Sequence, residues 1–147
     1  MLTVFDLLKV KGDGIWAISP ETTTLEALRF MAEKKVGALL VLEGGILVGI
    51  ISERDFVYRI AEDRACVLDR TVSEYMTTTV ITVTPKQTIQ DCMKLMTDKH
   101  IRHLPVLSEN QLVGLISIGD VVKGIISEQS SLIRNLEDYI VGGGYGQ

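Results

Sequence analysis

The chain has 147 residues, of which 46% are hydrophobic and 23% charged, and its formal net charge is −4. A chain of this length buries about two thirds of the surface that its unfolded form exposes, which is enough for one compact core or two small ones. The negative charge and the 5% share of aromatic residues do not provide the basic field or the stacking platforms of a general nucleic-acid binder. We therefore expect a globular protein without a nucleic-acid partner.

The apolar segments are too short to cross a membrane. The longest runs, residues 37–42 and 46–51, fall well below the about 18 residues that a membrane-spanning helix needs. The N-terminal stretch has Asp6 and Lys9 within its only apolar segment and no small-residue cleavage site, so it lacks the pattern of a signal peptide. We expect a cytoplasmic protein that does not bind membranes.

The first half of the chain alternates between strand and helix patterns. Apolar residues at helical spacing predict a helix after Pro20, and the apolar runs on either side of Gly44 and Gly45 predict two strands joined by a tight turn. The predicted elements, in chain order, are a short helix at 3–9, an extended piece at 15–18, a helix that includes 25–32, strands at 38–42 and 46–51, and a helix at about 53–62.

The second half repeats this order. A turn at Pro85 again precedes a helix, and a turn around Glu109 and Asn110 joins two further apolar runs. The predicted elements are an extended piece at 80–83, a helix that includes 89–96, strands at 104–107 and 112–116, and a helix at about 118–128.

Two further segments follow the second half. Residues 129–141 predict a separate amphipathic helix, and the glycine-rich residues 142–147 predict a flexible tail. The apolar face of that helix consists of Leu132, Ile133, Leu136 and Ile140. This helix has no equivalent in the first half, and it could close the fold or dock on a partner or a second subunit.

An internal repeat with an offset of 65 residues relates the two halves. The segment LVGIISERDFV at 47–57 matches LVGLISIGDVV at 112–122 without a gap. This period exceeds the about 20–50 residues of solenoid repeats, so each copy is a small subdomain. One copy of about 60 residues is marginal alone, so the copies are expected to pack against each other. The sequence predicts an α/β fold of the α+β type, made of a tandem β-α-β-β-α repeat.

The repeated serines and aspartates allow two interpretations. Ser52 and Ser117 lie where a strand gives way to a helix, and S-x-x-[DE] at such a point is the pattern of a capping box. The capping box prefers the longer Glu or Gln at its third position, whereas both copies have Asp, at Asp55 and Asp120. A structural cap and a ligand site therefore both remain open.

The alternative interpretation is a nucleotide site. A helix N-terminus offers free N–H groups and a positive potential to a phosphate, and a carboxylate one turn further on can accept hydrogen bonds from ribose hydroxyls. Gly49 and Gly114, three residues before each serine, would let a ligand approach the backbone closely.

Four segments together resemble a known family. The tails GIISERD and GLISIGD, the stretch IRHLPV at 101–106 and the stretch EYMTTTVITVTP at 74–85 are similar to a pair of CBS domains, the regulatory unit called a Bateman module. The resemblance covers residues 3–128, which implies one CBS domain at 3–68 and a second at 71–128. It implies a pseudo-twofold pair that binds adenine nucleotides (AMP, ADP, ATP or NAD(H)) in clefts between the domains and has no catalytic residues.

The resemblance also assigns roles to residues. It implies that Asp55 and Asp120 hold ribose hydroxyls, that Ser52 and Ser117 contact phosphate, and that a basic pair before the Leu-Pro reaches phosphate in the cleft. The residues expected to line one strongly basic cleft are Ser52, Arg54, Asp55, Arg102 and His103.

The two copies differ in their basic residues. Copy one has Gly37 and Ala38 in place of Arg102 and His103, so the two clefts are expected to differ in affinity because charge-assisted hydrogen bonds to phosphate are the stronger ones. Apolar Ile18 and Val83, at the ends of the first strand of each copy, are candidate walls for the adenine ring, although core packing explains them as readily.

Several other motifs carry little functional signal. His100 and His103 form HxxH, but no nearby cysteine or carboxylate set accompanies them, so no metal site is predicted. The serine tails are not G-x-S-x-G, so they do not predict an esterase. Cys66 and Cys92 form no CxxC pair and are expected to be buried or partly buried thiols.

The sequence thus favours a non-enzymatic sensor of adenine nucleotides that forms a homodimer, as modules of this family commonly do. The alternative is a dimerisation or protein-interaction module whose ligand sites have decayed. An enzyme is a weaker alternative, because no nucleophile–base pair or metal set is apparent.

Overall fold

The structure is a computed structural model that describes residues 1–12, 14–64 and 68–145. It confirms the mixed α/β class and the repeated order of helices and strands. The elements are α1 (Val4–Lys11), β1 (Ala17–Ile18), α2 (Thr24–Lys34), β2 (Ala38–Glu43), β3 (Ile46–Ser52), α3 (Glu53–Asp63), a 3₁₀ turn (Val72–Glu74), α4 (Ile89–Lys99), β4 (His103–Ser108), β5 (Gln111–Ser117) and α5 (Ile118–Tyr145).

The chain divides into two compact units that are interleaved in sequence. The Asp55 unit contains residues 14–82 and 107–114, and the Asp120 unit contains residues 1–12, 83–106 and 115–145 of the described chain. The N-terminal helix α1 therefore belongs to the unit of the second repeat, although it precedes the first repeat in the chain.

A three-stranded sheet with the order β1-β2-β3 forms the centre of the Asp55 unit. Strand β2 pairs in parallel with β1 and antiparallel with β3, and its residues 38–41 are buried, as expected of a central strand. The turn between β2 and β3 has positive φ angles of 59° at Gly44 and 82° at Gly45, which glycine adopts without strain. The core consists of Ala27, Met31, Leu39, Val41, Ile51, Phe56, Val72 and Tyr75.

The Asp120 unit keeps the same pairing in a shorter form. Strands β4 and β5 form a two-stranded sheet, of which residues 103–106 and 115–117 belong to this unit. In place of a first strand, Val83 makes an isolated parallel bridge to Val106, 65 positions after the Ile18 to Val41 pair of β1 and β2. The predicted extended piece at 80–83 is thus reduced to one bridge.

Helix α1 is anchored to the Asp120 unit at its N-terminal end. The Val4 N–H donates to the Gln87 carbonyl at 2.8 Å, and the Leu2 N–H donates to the Glu128 carboxylate at 2.7 Å. A side chain added at Gly124 of α5 would lie 2.7 Å from Leu7 Cδ2, so this glycine allows α1 to pack closely on α5.

Helix α5 is longer than the sequence predicted. It continues without a break from Ile118 to Tyr145, whereas a helix at 118–128, a second helix at 129–141 and a flexible tail at 142–147 were expected. The expected break near residue 128 is wrong because the segment Glu128–Ser131 contains no proline or glycine, and each added residue gains a backbone hydrogen bond. Residues 146 and 147 lie outside the described residues.

The thiol of Cys92 is buried in the Asp120 unit, as expected, and burial raises its pKa to about 11. Cys66 lies outside the described residues. Over 1–12, 14–64 and 68–145, no helix is both long and apolar enough to cross a membrane.

Candidate functional site

The first candidate site is the point where β3 passes into α3. Ser52 is the N-cap of α3, with extended backbone angles, and its hydroxyl oxygen accepts from the Asp55 N–H at 3.3 Å. Asp55 Oδ2 accepts from the Ser52 N–H at 2.9 Å and from the Ser52 hydroxyl at 3.1 Å. These reciprocal bonds form a complete capping box.

The point where β5 passes into α5 has the same geometry. Asp120 Oδ2 accepts from the Ser117 N–H at 2.8 Å and from the Ser117 hydroxyl at 3.0 Å, and the Asp120 N–H donates to Ser117 Oγ at 3.3 Å. We call these two places the Ser52 and Ser117 helix starts. The repeat is therefore reproduced to within a few tenths of an ångström in each hydrogen bond.

The capping interpretation of the two aspartates is confirmed. The general preference of the capping box for Glu or Gln does not exclude Asp here, because both carboxylates reach the serine N–H at 2.8 to 2.9 Å. Elsewhere in the chain, Asp91 makes the same box with Thr88, at the start of α4. Aspartate at this position does not by itself indicate a ligand.

The second oxygen of Asp55 is engaged only weakly. Asp55 Oδ1 accepts from the Thr77 hydroxyl at 3.3 Å, near the limit for such a bond. Thr77 is held there by the backbone, because its N–H donates to the Ile50 carbonyl at 2.9 Å and its carbonyl accepts from the Ile50 N–H at 3.0 Å.

Asp120 has a stronger partner. The Lys11 ammonium, at the end of α1, lies 2.8 Å from Asp120 Oδ2 and 2.7 Å from the Leu115 carbonyl. Burial raises the pKa of the Asp120 carboxyl, but the hydrogen bonds from Lys11 and from the Ser117 backbone outweigh this effect, and the pKa is lowered. The carboxylate is thus charged and paired at neutral pH.

Gly49, three residues before Ser52, is in close contact with another segment of the chain. A Cβ at Gly49 would lie 2.6 Å from Met76 Sδ and 3.1 Å from the Thr77 carbonyl oxygen. The expectation that Gly49 admits a ligand to the backbone is therefore wrong, since the segment 76–77 fills that space.

Arg102 and Arg54 lie near the helix starts, and each makes a hydrogen bond within the chain. The Arg102 carbonyl accepts from the Ile118 N–H at 2.8 Å, just as Gly37 accepts from Glu53 at 3.0 Å in the other repeat, and the Arg102 side chain is exposed. Arg54 Nε donates to the Tyr58 hydroxyl at 3.1 Å along the exposed side of α3.

The structure thus brings Arg102 next to the Ser117 helix start of its own unit. His103 opens β4 and is half-buried. The convergence of Arg102 and His103 with Ser52, Arg54 and Asp55 involves both units and stays a prediction.

The two candidate adenine walls differ in exposure. Val83 is 1% exposed and belongs to the core, which favours packing over ligand contact. Ile18 is half-buried and packs against the core of the Asp55 unit. His100 ends α4 in a left-handed conformation, and among the residues that the structure describes, no group of three or more His, Cys, Asp or Glu could hold a metal ion.

Sequence reasoning missed two residues at these sites. Thr77 lies within the stretch EYMTTTVITVTP, but no pattern there predicts its contact with Asp55. Lys11 lies outside the repeat and meets Asp120 across 109 positions of the chain, so only the folded structure could reveal it.

Comparisons with known proteins agree with the repeat. The family model described as CBS domain matches residues 13–62 and 72–127. The CBS domain-containing protein CBSX3, mitochondrial, from Arabidopsis thaliana is 37% identical over 96% of this chain and 73% of its own length.

Solved structures show the same fold. A CBS-domain-containing protein from Agrobacterium tumefaciens is 37% identical, with a TM-score of 0.80 over 83% of this chain and 98% of its own. CBSX2, solved in complex with AMP, is 22% identical, with a TM-score of 0.73 over 86% of this chain and 98% of its own. At that identity, CBSX2 shows the fold alone.

Proposed function

Since this chain belongs to the CBS-domain family, we propose that it is a non-catalytic regulatory module that binds adenine nucleotides at its Ser52 and Ser117 helix starts. The observation that carries the proposal is the occurrence of the same serine–carboxylate arrangement twice, at one offset, with matching hydrogen bonds. A capping role alone requires only one oxygen of each aspartate.

The chemistry of each helix start suits a sugar phosphate. The N-terminus of a helix provides N–H donors and a positive potential for phosphate. The capping bonds use Oδ2 of each aspartate. Oδ1 makes no capping bond, although in Asp55 it accepts weakly from the Thr77 hydroxyl, and it is the proposed acceptor for a first ribose hydroxyl. Arg102 and His103 are proposed to contact the phosphate, and unequal affinities of the two sites follow from their absence in copy one.

The nucleotide is proposed by class only: AMP, ADP, ATP or NAD(H). The AMP complex of CBSX2 shows that one protein of this fold binds AMP, which supports the choice of adenine nucleotides as probes. A cytoplasmic location and the absence of a nucleic-acid partner stay predictions.

A thermal-shift and calorimetry panel of these nucleotides tests the proposal. A ligand at about 100 times its dissociation constant adds about 2.7 kcal/mol to the free energy of unfolding, which raises the midpoint by several degrees. The proposal expects at least one nucleotide to give this shift. If none does, adenine-nucleotide binding is rejected.

Matched variants separate binding from capping. Asp55→Ala and Asp120→Ala remove a capping box and a proposed ribose acceptor, whereas Asp91→Ala removes only a capping box, which is exposed and belongs to α4. Asp55→Ala and Asp91→Ala should each lose about 1 kcal/mol of stability, and Asp120→Ala should lose more because it also removes the ion pair with Lys11. Only Asp55→Ala and Asp120→Ala should weaken nucleotide binding, and equal binding by all three variants would contradict the assignment.

A second candidate function is an interaction module, and the exposed side of α5 favours it. Ile126, Ile133, Leu136 and Ile140 are 58%, 57%, 53% and 63% exposed, and their spacing follows the heptad pattern of a coiled-coil seam. Because a twofold axis pairs such a stripe with itself, the proposed occupant is α5 of a second copy.

Sedimentation velocity tests this homodimer. Leu136→Glu places a charge within the stripe and should convert a dimer to a monomer, whereas Arg134→Glu, on the polar side of the helix, should not. A dimer that survives Leu136→Glu would assign the interface to another surface. If the wild type sediments as a monomer, the proposed homodimer is rejected.

A further inference from the structure

Each helix start has a pair of oxygen acceptors that a neighbouring segment satisfies. In the Asp55 unit, Thr77 serves both, with its N–H on the Ile50 carbonyl at 2.9 Å and its hydroxyl on Asp55 at 3.3 Å. In the Asp120 unit, the corresponding acceptors are the Leu115 carbonyl and Asp120, and the Lys11 ammonium contacts both.

The two partners differ in charge and in strength. The Thr77 hydroxyl is an uncharged donor at 3.3 Å, near the limit for a hydrogen bond, whereas the Lys11 ammonium is a charged donor at 2.8 Å that also forms an ion pair with the carboxylate. The Lys11 and Asp120 side chains are only 32% and 22% exposed, so solvent screens their attraction partly.

The position of Lys11 depends on how α1 is held. The start of α1 is fixed by the bond from Val4 to Gln87 and by the packing of Leu7 against Gly124. Its last turn is more open: Val10 is 90% exposed, and Gly12 closes the helix with a positive φ of 87°. The Lys11 ammonium connects this turn to the Leu115 carbonyl and to Asp120.

We propose that Lys11 is an intramolecular competitor for the Asp120 carboxylate, which weakens ribose binding at the Ser117 helix start and couples ligand binding there to release of the last turn of α1. This inference rests on the proposed function. Vicinal ribose hydroxyls bind a carboxylate best through both oxygens, and in the free protein Asp120 Oδ2 already accepts from Lys11 and from Ser117. A second ribose hydroxyl would have to use Oδ2, where it competes with the ammonium.

Adenosine is the probe that isolates this competition, because it has the ribose but no phosphate charge. Lys11→Met keeps most of the apolar stem and removes the ammonium. Lys9→Met makes the same change of net charge on the same helix, where Lys9 lies 4.8 Å above the Phe5 ring and not on Asp120. Both variants are compared with the wild type, each also in an Asp55→Ala background that leaves only the Ser117 helix start.

Lys11→Met should bind adenosine about two- to fivefold more tightly, the range that corresponds to a partly exposed ion pair. Lys9→Met should match the wild type. The gain with AMP should be smaller, since the lost ammonium also attracts phosphate. In the wild type, the ligand should speed hydrogen exchange of the Gly12 N–H, which donates to the Leu8 carbonyl at 3.0 Å and reports the last turn of α1.

The outcomes separate this inference from the proposed function. If the wild type binds but Lys11→Met binds equally or more weakly, Lys11 is not a competitor and this inference alone fails. If the wild type binds none of AMP, ADP, ATP and NAD(H), the proposed function fails and the inference fails with it. If Asp55→Ala does not fold, hydrogen exchange of the Gly12 N–H in the wild type replaces it. Faster exchange with ligand supports release of Lys11, and unchanged exchange contradicts it.

Discussion

The Ser52 and Ser117 helix starts have the same cap but different neighbours. The serine–aspartate bonds agree within 0.1 Å between the two units for each donor, because both helices need the same N–H groups satisfied. The group placed against the carboxylate is a threonine hydroxyl in one unit and a lysine ammonium in the other. The shared part therefore builds the start of each helix, and the differing part is the basis of the proposed competition for the Asp120 carboxylate.

We expect the largest loss of stability from Gly49→Ala, which disturbs the packing of the segment 76–77 beside the Ser52 helix start. The added methyl group would lie 3.0 Å from Met76 Cγ and 3.1 Å from the Thr77 carbonyl oxygen, and backbone cannot yield as a side-chain end can. We expect a loss of about 1–3 kcal/mol in the free energy of unfolding, measured by urea denaturation.

Gly119→Ala is the matched control at the other helix start. Its Cβ would lie 3.6 Å from Ser117 Oγ, an ordinary contact, so no loss is expected. Equal stability of Gly49→Ala and the wild type would mean that the segment 76–77 is not held against β3.

A smaller effect tests whether the caps are equivalent. Ser52→Ala and Ser117→Ala each remove one hydroxyl that accepts from an aspartate N–H at 3.3 Å, so each should cost about 1 kcal/mol. Both losses should appear in thermal unfolding monitored by circular dichroism. A loss at only one serine would show that the two helix starts are not equivalent in their shared part.

The fold was largely predictable from the sequence because its signals are local or periodic. The turns at Gly44 and at Glu109–Asn110, the helix at the N-terminus and the offset of 65 residues all appear in the structure. The long helix α5 was missed because serine residues weaken a helix without ending it, so the sequence has no clear stop near residue 128.

The candidate site was less predictable. Ser52 and Ser117 could be placed because a cap is formed within four residues. Lys11 could not be placed, since its contact with Asp120 depends on the packing of α1 against α5. Thr77 could not be placed either, since its contact with Asp55 depends on its backbone pairing with Ile50. Contacts between distant segments follow from the fold and leave no pattern of their own.

Acid should weaken the Asp120 unit through its paired carboxylate. The pKa of Asp120 is below its ordinary value of 3.8 in the folded protein, so its charge stabilises the fold above that value. That stability is lost as the pH falls from about 4 through the folded pKa. Asp120→Asn has no carboxyl to protonate at this position. Its free energy of unfolding should therefore fall less than that of the wild type over this pH range.

The control for this titration is Lys11→Met. With the ammonium removed, the carboxyl pKa of Asp120 should rise toward its ordinary value, and the acid-dependent loss should shrink in the same direction as in Asp120→Asn. Carboxyl chemical shifts of Asp120 followed by NMR against pH measure the shift directly. An unchanged Asp120 titration in Lys11→Met would show that Lys11 does not lower the pKa of this carboxyl.

The smallest effect is expected from Thr77→Val at the Ser52 helix start. The substitution removes a hydroxyl whose bond to Asp55 Oδ1 is 3.3 Å long, while both backbone bonds to Ile50 remain. Stability should change by less than about 0.5 kcal/mol, because a long, exposed hydrogen bond contributes little beyond its exchange with water. Adenosine affinity at the Ser52 helix start should therefore rise less than the gain from Lys11→Met at the Ser117 helix start. Equal gains, measured by calorimetry, would mean that the charge of Lys11 does not distinguish the two carboxylates.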